Sequence, residues 1–270
     1  MTPSEIKSAL SSLGGRANKK LGQHFLIDAA ALRSIVDAAE IHPGDRVLEI
    51  GPGLGVLTEA LRDRGASIIA IEQDRRFVAY LVGAYCHTPP RFIHGDAARL
   101  DWNELVGDGP WKFVSNLPYS ITSLALRKAL WSPNPPSKVV VLVQREVAER
   151  AIAKDGKTSL LSLMVALASR SARIVKRVPA GAFYPPPKVE SAILSIDPMS
   201  VAERQKKWGI DPERVMSLAK RGFAHPRKFL ASNLGLANPS ILESIGINPR
   251  ARAEDLSPEQ WVELAKTMKE

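Results

Sequence analysis

The sequence predicts an α/β unit, a parallel sheet with helices on both faces, followed by a smaller all-α unit. From Arg46 onward strand and helix patterns alternate, as Arg46–Ile50, 54–62, Ser67–Glu72 and Arg75–Ala84, and βαβα order leads to parallel strands covered on both sides. Lys138–Gln144 is an unbroken apolar run between its end residues, the pattern of a strand buried on both faces. After Asp197-Pro198 the periodicity becomes helical. A boundary is therefore expected near residue 200, giving units of 1–199 and 200–270.

The 270 residues can bury a core without disulfides or metal. A single cysteine, Cys86, excludes an intramolecular disulfide framework and fits a reducing cytoplasm. No apolar run approaches a membrane span, and residues 1–20 lack the apolar core of a signal peptide. The expectation is a soluble, cytoplasmic, monomeric protein with no membrane partner. A net charge of +9 favours a polyanionic partner and salt-sensitive binding, although solubility alone would also use it.

In chain order, residues 1–17 are polar and small and read as a loose leader. Residues 18–26 then bring two lysines, Gln23, His24 and the apolar anchors Phe25 and Leu26 up to Asp28. Asp28 is placed to N-cap an amphipathic helix over 29–40. The plainer reading of 18–26 is a surface loop with Phe25 and Leu26 tucked into the core. His42-Pro-Gly-Asp45 forms a turn into the first strand.

That strand runs into Gly51, Gly53 and Gly55, which let the backbone turn tightly and approach a ligand. The amides opening the next helix would face whatever the loop holds. A dinucleotide fingerprint would need its third glycine where Val56 stands, which argues against NAD; the loop instead resembles the first motif of S-adenosylmethionine-dependent methyltransferases, and that resemblance implies the adenosine cofactor and sulfonium methyl considered next. Glu72 ends the second strand, where a carboxylate can accept hydrogen bonds from both ribose hydroxyls of an adenosine cofactor. It could equally be an exposed strand-end acid. Asp96, after strand Arg91–His94, could accept from the cofactor's exocyclic adenine amine.

A strand over 111–115 leads into Asn116-Leu-Pro-Tyr119, the predicted chemical centre. An exocyclic adenine amine is a poor nucleophile because its lone pair is delocalised into the ring. A catalyst must accept its N–H hydrogens and draw the nitrogen towards a tetrahedral shape. Asn116 offers a side-chain oxygen, and Leu117 offers a carbonyl oriented by the proline that follows it. Tyr119 can stack on the base. No general base is needed ahead of attack on a sulfonium methyl, where alignment supplies much of the acceleration.

Further on, 121–130 reads as a helix, Lys138–Gln144 as a strand, 145–153 and 159–170 as helices, and 172–178 and 189–196 as strands. Between those last two lies Phe183-Tyr-Pro-Pro-Pro-Lys-Val-Glu-Ser191, a stiff way to hold an aromatic ring over a flipped base, with Lys188 for a phosphate. The same residues would suit a hairpin whose aromatics plug the core. Residues 201–228 hold eight Lys or Arg (Arg204, Lys206, Lys207, Arg214, Lys220, Arg221, Arg227, Lys228) against three acids, a balance of +5. An RNA platform and a solvated helix face both fit that count. No histidine or cysteine spacing suggests a metal.

The Glu49-Ile-Gly-Pro-Gly-Leu-Gly55 loop resembles the first motif of S-adenosylmethionine-dependent methyltransferases. With Lys20-Leu-Gly-Gln-His-Phe-Leu26, Glu72, Gly95-Asp96, Asn116-Leu-Pro-Tyr119 and the 183–191 stretch, the chain resembles the ribosomal RNA adenine dimethyltransferase family over nearly its whole length. Its form is nearest to the bacterial small-subunit members. The resemblance implies a Rossmann-like class I methyltransferase with a seven-stranded, mostly parallel sheet and a small all-α C-terminal domain that binds RNA. It implies S-adenosylmethionine held by Gln23, His24, Leu26, Gly51, Gly53, Glu72, Asp96 and Asn116, and a target adenine held by Asn116, Leu117, Tyr119 and Phe183. It implies N6-dimethylation of two adjacent adenines in the 3′-terminal hairpin loop of 16S rRNA, on the immature 30S subunit. One departure stands out: the tail carries Gly222-Phe-Ala-His-Pro-Arg-Lys-Phe-Leu-Ala-Ser-Asn-Leu234, with Pro226 interrupting the helix where the family has a basic run.

Overall fold

A computed structural model describes residues 1–15, 23–85, 90–153, 156–236 and 238–268. Lys20 to Gly22 of the Lys20 to Leu26 stretch, and Cys86, lie outside them. By contacts the chain divides into Met1–Ala148 with Arg173–Pro198, and Glu149–Ala172 with Met199–Glu270.

The first unit opens with α1 (Pro3–Ser12) rather than a loose leader. Thr2 and Glu5 form a capping box, and Ile6 and Leu10, four apart on one face, are buried with Phe25, Leu54 and Phe77. There follow β1 (Phe25–Leu26), α2 (Ala29–Ala38), β2 (Arg46–Ile50), α3 (Val56–Arg62), β3 (Ser67–Glu72), α4 (Arg75–Ala84), β4 (Arg91–His94) and α5 (Trp102–Val106). Then come β5 (Lys112–Asn116), a 3-10 turn at Tyr119–Ile121, α6 (Thr122–Leu130), β6 (Lys138–Gln144) and α7 (Arg145–Ala151). Asp28 caps α2 as expected, its carboxylate accepting from Ala31 N at 2.7 Å.

After α8 (Leu160–Ala168) come β7 (Ser169–Val178), β8 (Phe183–Tyr184) and β9 (Ser191–Pro198). The main sheet has seven strands in the order β4-β3-β2-β5-β6-β9-β7. β2 to β6 pair in parallel and β9 runs antiparallel to β6, so the expected mostly parallel sheet is what forms. Its core joins Val47, Ile68, Val114, Val140 and Ile193 of the strands to Ile35 and Leu61 of the helices. A separate two-stranded sheet pairs Phe25 with Tyr184 and Leu26 with Phe183.

The second unit holds α8 with α9 (Val201–Trp208), α10 (Pro212–Gly222), α11 (Leu230–Leu234), α12 (Ser240–Glu243) and α13 (Pro258–Thr267). It therefore takes in residues before 200 that the sequence reading grouped with the sheet. The reason is α8, buried at Leu161, Leu163, Met164, Val165, Leu167 and Ala168. A helix apolar on nearly every side must be surrounded, and α9, α10 and α13 pack against it. Pro226 falls between α10 and α11, four residues beyond the end of α10 at Gly222, so it lies in the connection and does not interrupt a helix. Among the described residues no helix is long and apolar enough to cross a membrane.

Candidate active site

The chain progresses outward from β2 to β4, then returns to the other side of β2 with β5. Open α/β sheets collect ligands at such a reversal, beyond the strands' carboxyl ends. A cleft lies there, lined by the segments after β2, β3, β4 and β5 and by Gln23, His24, Phe25 and Leu26. Ser115 Oγ donates to Ile50 O at 2.7 Å, joining β5 to β2 at the reversal.

Gly51, Gly53 and Gly55 all take positive φ, 70°, 58° and 81°, which bends the loop in a way other residues resist. At Gly53 a Cβ would stand 3.0 Å from the Phe25 ring. Its amide donates to Glu72 Oε2 at 3.0 Å, while Asp74 N donates to Oε1 at 2.8 Å. Glu72 is buried, not an exposed strand-end acid. Burial raises its carboxyl pKa and the amides oppose that rise. A carboxylate has about four lone-pair positions, so capacity remains for ligand hydroxyls.

Glu49, which the sequence reading gave no role, is also on the cleft wall and 1% exposed. It accepts from Thr58 Oγ1 at 2.7 Å, and burial, reinforced by the neighbouring Glu72 charge, pushes it up to about 8. At neutral pH it is a carboxylic acid. Asp74 goes the other way: Arg76 donates to both its oxygens, at 3.0 and 2.7 Å, and Gln23 Nε2 donates at 3.1 Å. These bonds, Arg76 foremost, hold it at about 2.

His24 Nδ1 lies 2.7 Å from Pro185 O. A carbonyl only accepts, so Nδ1 carries the proton. The same logic orients Asn116: its Nδ2 donates to His24 O at 3.3 Å, which turns Oδ1 away from that carbonyl. Leu117 N donates to Leu142 O at 3.1 Å, anchoring the loop to β6. The Tyr119 ring stacks on His24 with centroids 6.0 Å apart, and its hydroxyl meets Ser191 Oγ at 2.7 Å. Ser191 is buried at the start of β9, and nothing in one sequence pairs it with Tyr119, 72 residues away.

Asp96 reaches the cleft wall with Oδ1 accepting from Ala98 N at 2.9 Å. Thus Gln23, His24, Leu26, Gly51, Gly53, Glu72, Asp96, Asn116, Leu117 and Tyr119 are brought together. Phe183 is not among the cleft-lining residues. It is 2% exposed and packs in the sheet core with Leu26 and Ala182, because pairing with β1 turns its side chain inward. Tyr184 is half-buried, with Lys7 Nζ 5.5 Å from its ring centroid, and Lys188 is exposed.

Two carboxylates at successive strand ends, a glycine loop, apolar walls from Ile71 and Phe77, and an oriented amide oxygen make a chemistry that fits an adenosine-bearing methyl donor. Comparison with known proteins agrees. The model of the family described as ribosomal RNA adenine dimethylase matches residues 14–270. Among relatives, the ribosomal RNA small subunit methyltransferase A of Dehalococcoides mccartyi is 40% identical over 274 residues, 97% of this chain and 93% of that one. The protein of the same name from Trichormus variabilis is 38% identical, over 94% of this chain and 98% of its own. The solved 23S rRNA methyltransferase ErmE matches with a TM-score of 0.70 at 26% identity, covering 90% of this chain and 98% of that one. A dimethyladenosine transferase from Plasmodium falciparum shares the fold, with a TM-score of 0.75 at 24% identity over 89% and 96%. Motifs, sheet order and near full-length similarity converge, and the chain belongs to the ribosomal RNA adenine dimethylase family.

Proposed function

We propose that this protein transfers methyl groups from S-adenosylmethionine to N6 of two adjacent adenines in the 3′-terminal hairpin loop of 16S rRNA, acting as a monomer on the immature 30S subunit in the cytoplasm. When bound, S-adenosylmethionine supplies an electrophilic methyl on its sulfonium. Glu72 would receive the ribose hydroxyls and Asp96 the adenine amine, with Gln23, His24, Leu26, Gly51 and Gly53 forming the rest of the cofactor wall.

The observation that carries the reading is the orientation of Asn116, whose nitrogen faces His24 O. Its oxygen accepts one N–H of the target amine and the Leu117 carbonyl accepts the other, which frees the nitrogen lone pair for in-line attack. Tyr119, pinned by Ser191, stacks on the base. Phe183, paired with Leu26 across the two-stranded sheet, would back the wall beside the base. The exposed Lys206, Lys207, Lys220, Arg221, Arg227 and Lys228 of the helical unit would meet RNA phosphates.

ErmE, named for 23S rRNA, is the alternative model, but the small-subunit relatives are the more similar, at 38–40% against 26%. The test is transfer of labelled methyl to undermethylated small subunits, followed by nucleoside analysis. Dimethyladenosine in small-subunit RNA is expected, and label confined to large-subunit RNA would sink the substrate assignment. Asn116→Ala should lower single-turnover methylation by about a hundredfold or more, by analogy with removal of one transition-state hydrogen bond, while RNA affinity holds. Retained activity would refute the role of Asn116.

A further inference from the structure

The turn that follows β4 is held by a side chain from another part of the chain. Arg99 N and Leu100 N donate back to Asp96 O at 2.9 and 3.1 Å, and Ala98 N donates to the Asp96 carboxylate. This winding points the carbonyls of Ala97, Ala98 and Leu100 at a common centre. Lys128 Nζ occupies it, at 3.3, 3.1 and 2.6 Å from the three oxygens. An ammonium has three N–H donors and no acceptor, so its complement matches three carbonyls.

The site is built beyond that contact. Trp102 Nε1 also donates to Ala97 O, at 2.8 Å, and the Trp102 ring centroid lies 5.4 Å from Lys128 Nζ, within cation–π range. Burial lowers the Lys128 pKa, while the charges of Asp101 and Asp96 oppose that. Removing the ammonium would take a donor from each of the three converging carbonyls, leaving Ala97 O with Trp102 Nε1, and the turn would relax. Lys128 lies on α6, the helix that begins directly after the Tyr119–Ile121 turn. A single rigid helix therefore links the Asn116 to Tyr119 loop to the turn that carries Asp96.

We infer that Lys128 is a positioning residue for the cofactor: by capping the carbonyls of Ala97, Ala98 and Leu100, it holds the Asp96 carboxylate in the cleft, in register with the Asn116 loop. The inference rests on the proposed role of Asp96 at the cofactor adenine.

The experiment measures S-adenosylmethionine KM and S-adenosylhomocysteine Kd by titration calorimetry, with kcat, RNA affinity and thermal midpoint, for the parent, Lys128→Met, Lys128→Arg and Asp96→Ala. Lys128→Met is expected to raise the cofactor KM and Kd about tenfold, the scale of one charged hydrogen bond, with kcat and RNA affinity unchanged. Lys128→Arg should recover part of the loss, since a planar guanidinium keeps the charge but cannot aim three N–H groups at one centre. Parent-like cofactor binding in Lys128→Met alongside weakened binding in Asp96→Ala would overturn the inference alone. So would an equal loss of cofactor binding, RNA binding and thermal stability in Lys128→Met. Unchanged binding in Asp96→Ala would overturn the cofactor assignment beneath it.

Discussion

Glu49 and Thr58 form a buried acid–hydroxyl pair in which the acid is neutral at pH 7. Its pKa of about 8 in the fold stands above the unfolded value of 4.5. A group raised in this way contributes stability that is full below the unfolded value and lost as pH rises through the folded one. Unfolding stability without cofactor should therefore fall as pH climbs from 4.5 to about 8. Glu49→Gln should flatten part of that fall and leave the protein more stable than the parent at the upper end. Urea titrations across the range check this, and superimposable profiles would mean that Glu49 ionises normally. Of the residues assigned to the site, Glu72, Asp96 and Asn116 were legible because each sits where a strand pattern ends. Glu49 was not, since an acid inside a strand shows no sign of whether a helix will cover it.

α1, α8 and α10 show what local pattern does and does not reveal. The capping box at Thr2 and Glu5 was present in the sequence, but a ten-residue polar helix is marginal alone and exists through burial of Ile6 and Leu10. At Gly222, propensity and packing point in opposite directions. Alanine would favour the helix by about 0.5–1 kcal/mol, yet its Cβ would stand 2.5 Å from the Trp261 ring and 2.9 Å from Leu230. Overpacking of this kind costs about 1–3 kcal/mol, so Gly222→Ala should destabilise. A lowered urea midpoint at unchanged m-value is the expected reading, and a raised midpoint would mean that α13 shifts away freely.

The net charge of +9 belongs to the whole molecule, and its distribution matters more than its sum. Arg204 is buried, Arg214 donates to Met268 O and Arg221 donates to Leu234 O, so at least three of the eight cations of 201–228 are engaged inside the helical unit. Glu203 is paired with Arg170 at 2.6 Å. Substituting glutamine for Lys206, Lys207, Lys220 and Arg221 should lower the slope of log K against log salt by about 0.7–0.9 for each phosphate contact removed. Filter binding to small-subunit RNA over a salt series measures it, and an unchanged slope would place the RNA elsewhere. By itself the sequence determined the α/β class, the order of the strands along the chain and the residues at their carboxyl ends, because these depend on periodicity and on glycine or proline at particular positions. Tertiary structure decided which distant residues meet: Ser191 with Tyr119, Pro185 with His24, Lys128 with the turn after Asp96, and α8 with the helices of the second unit. It also turned Phe183 into the core. The physical reason is that a strand or turn is specified by its own residues, whereas a side chain's partner and burial depend on elements many residues away that close over it only in the folded chain.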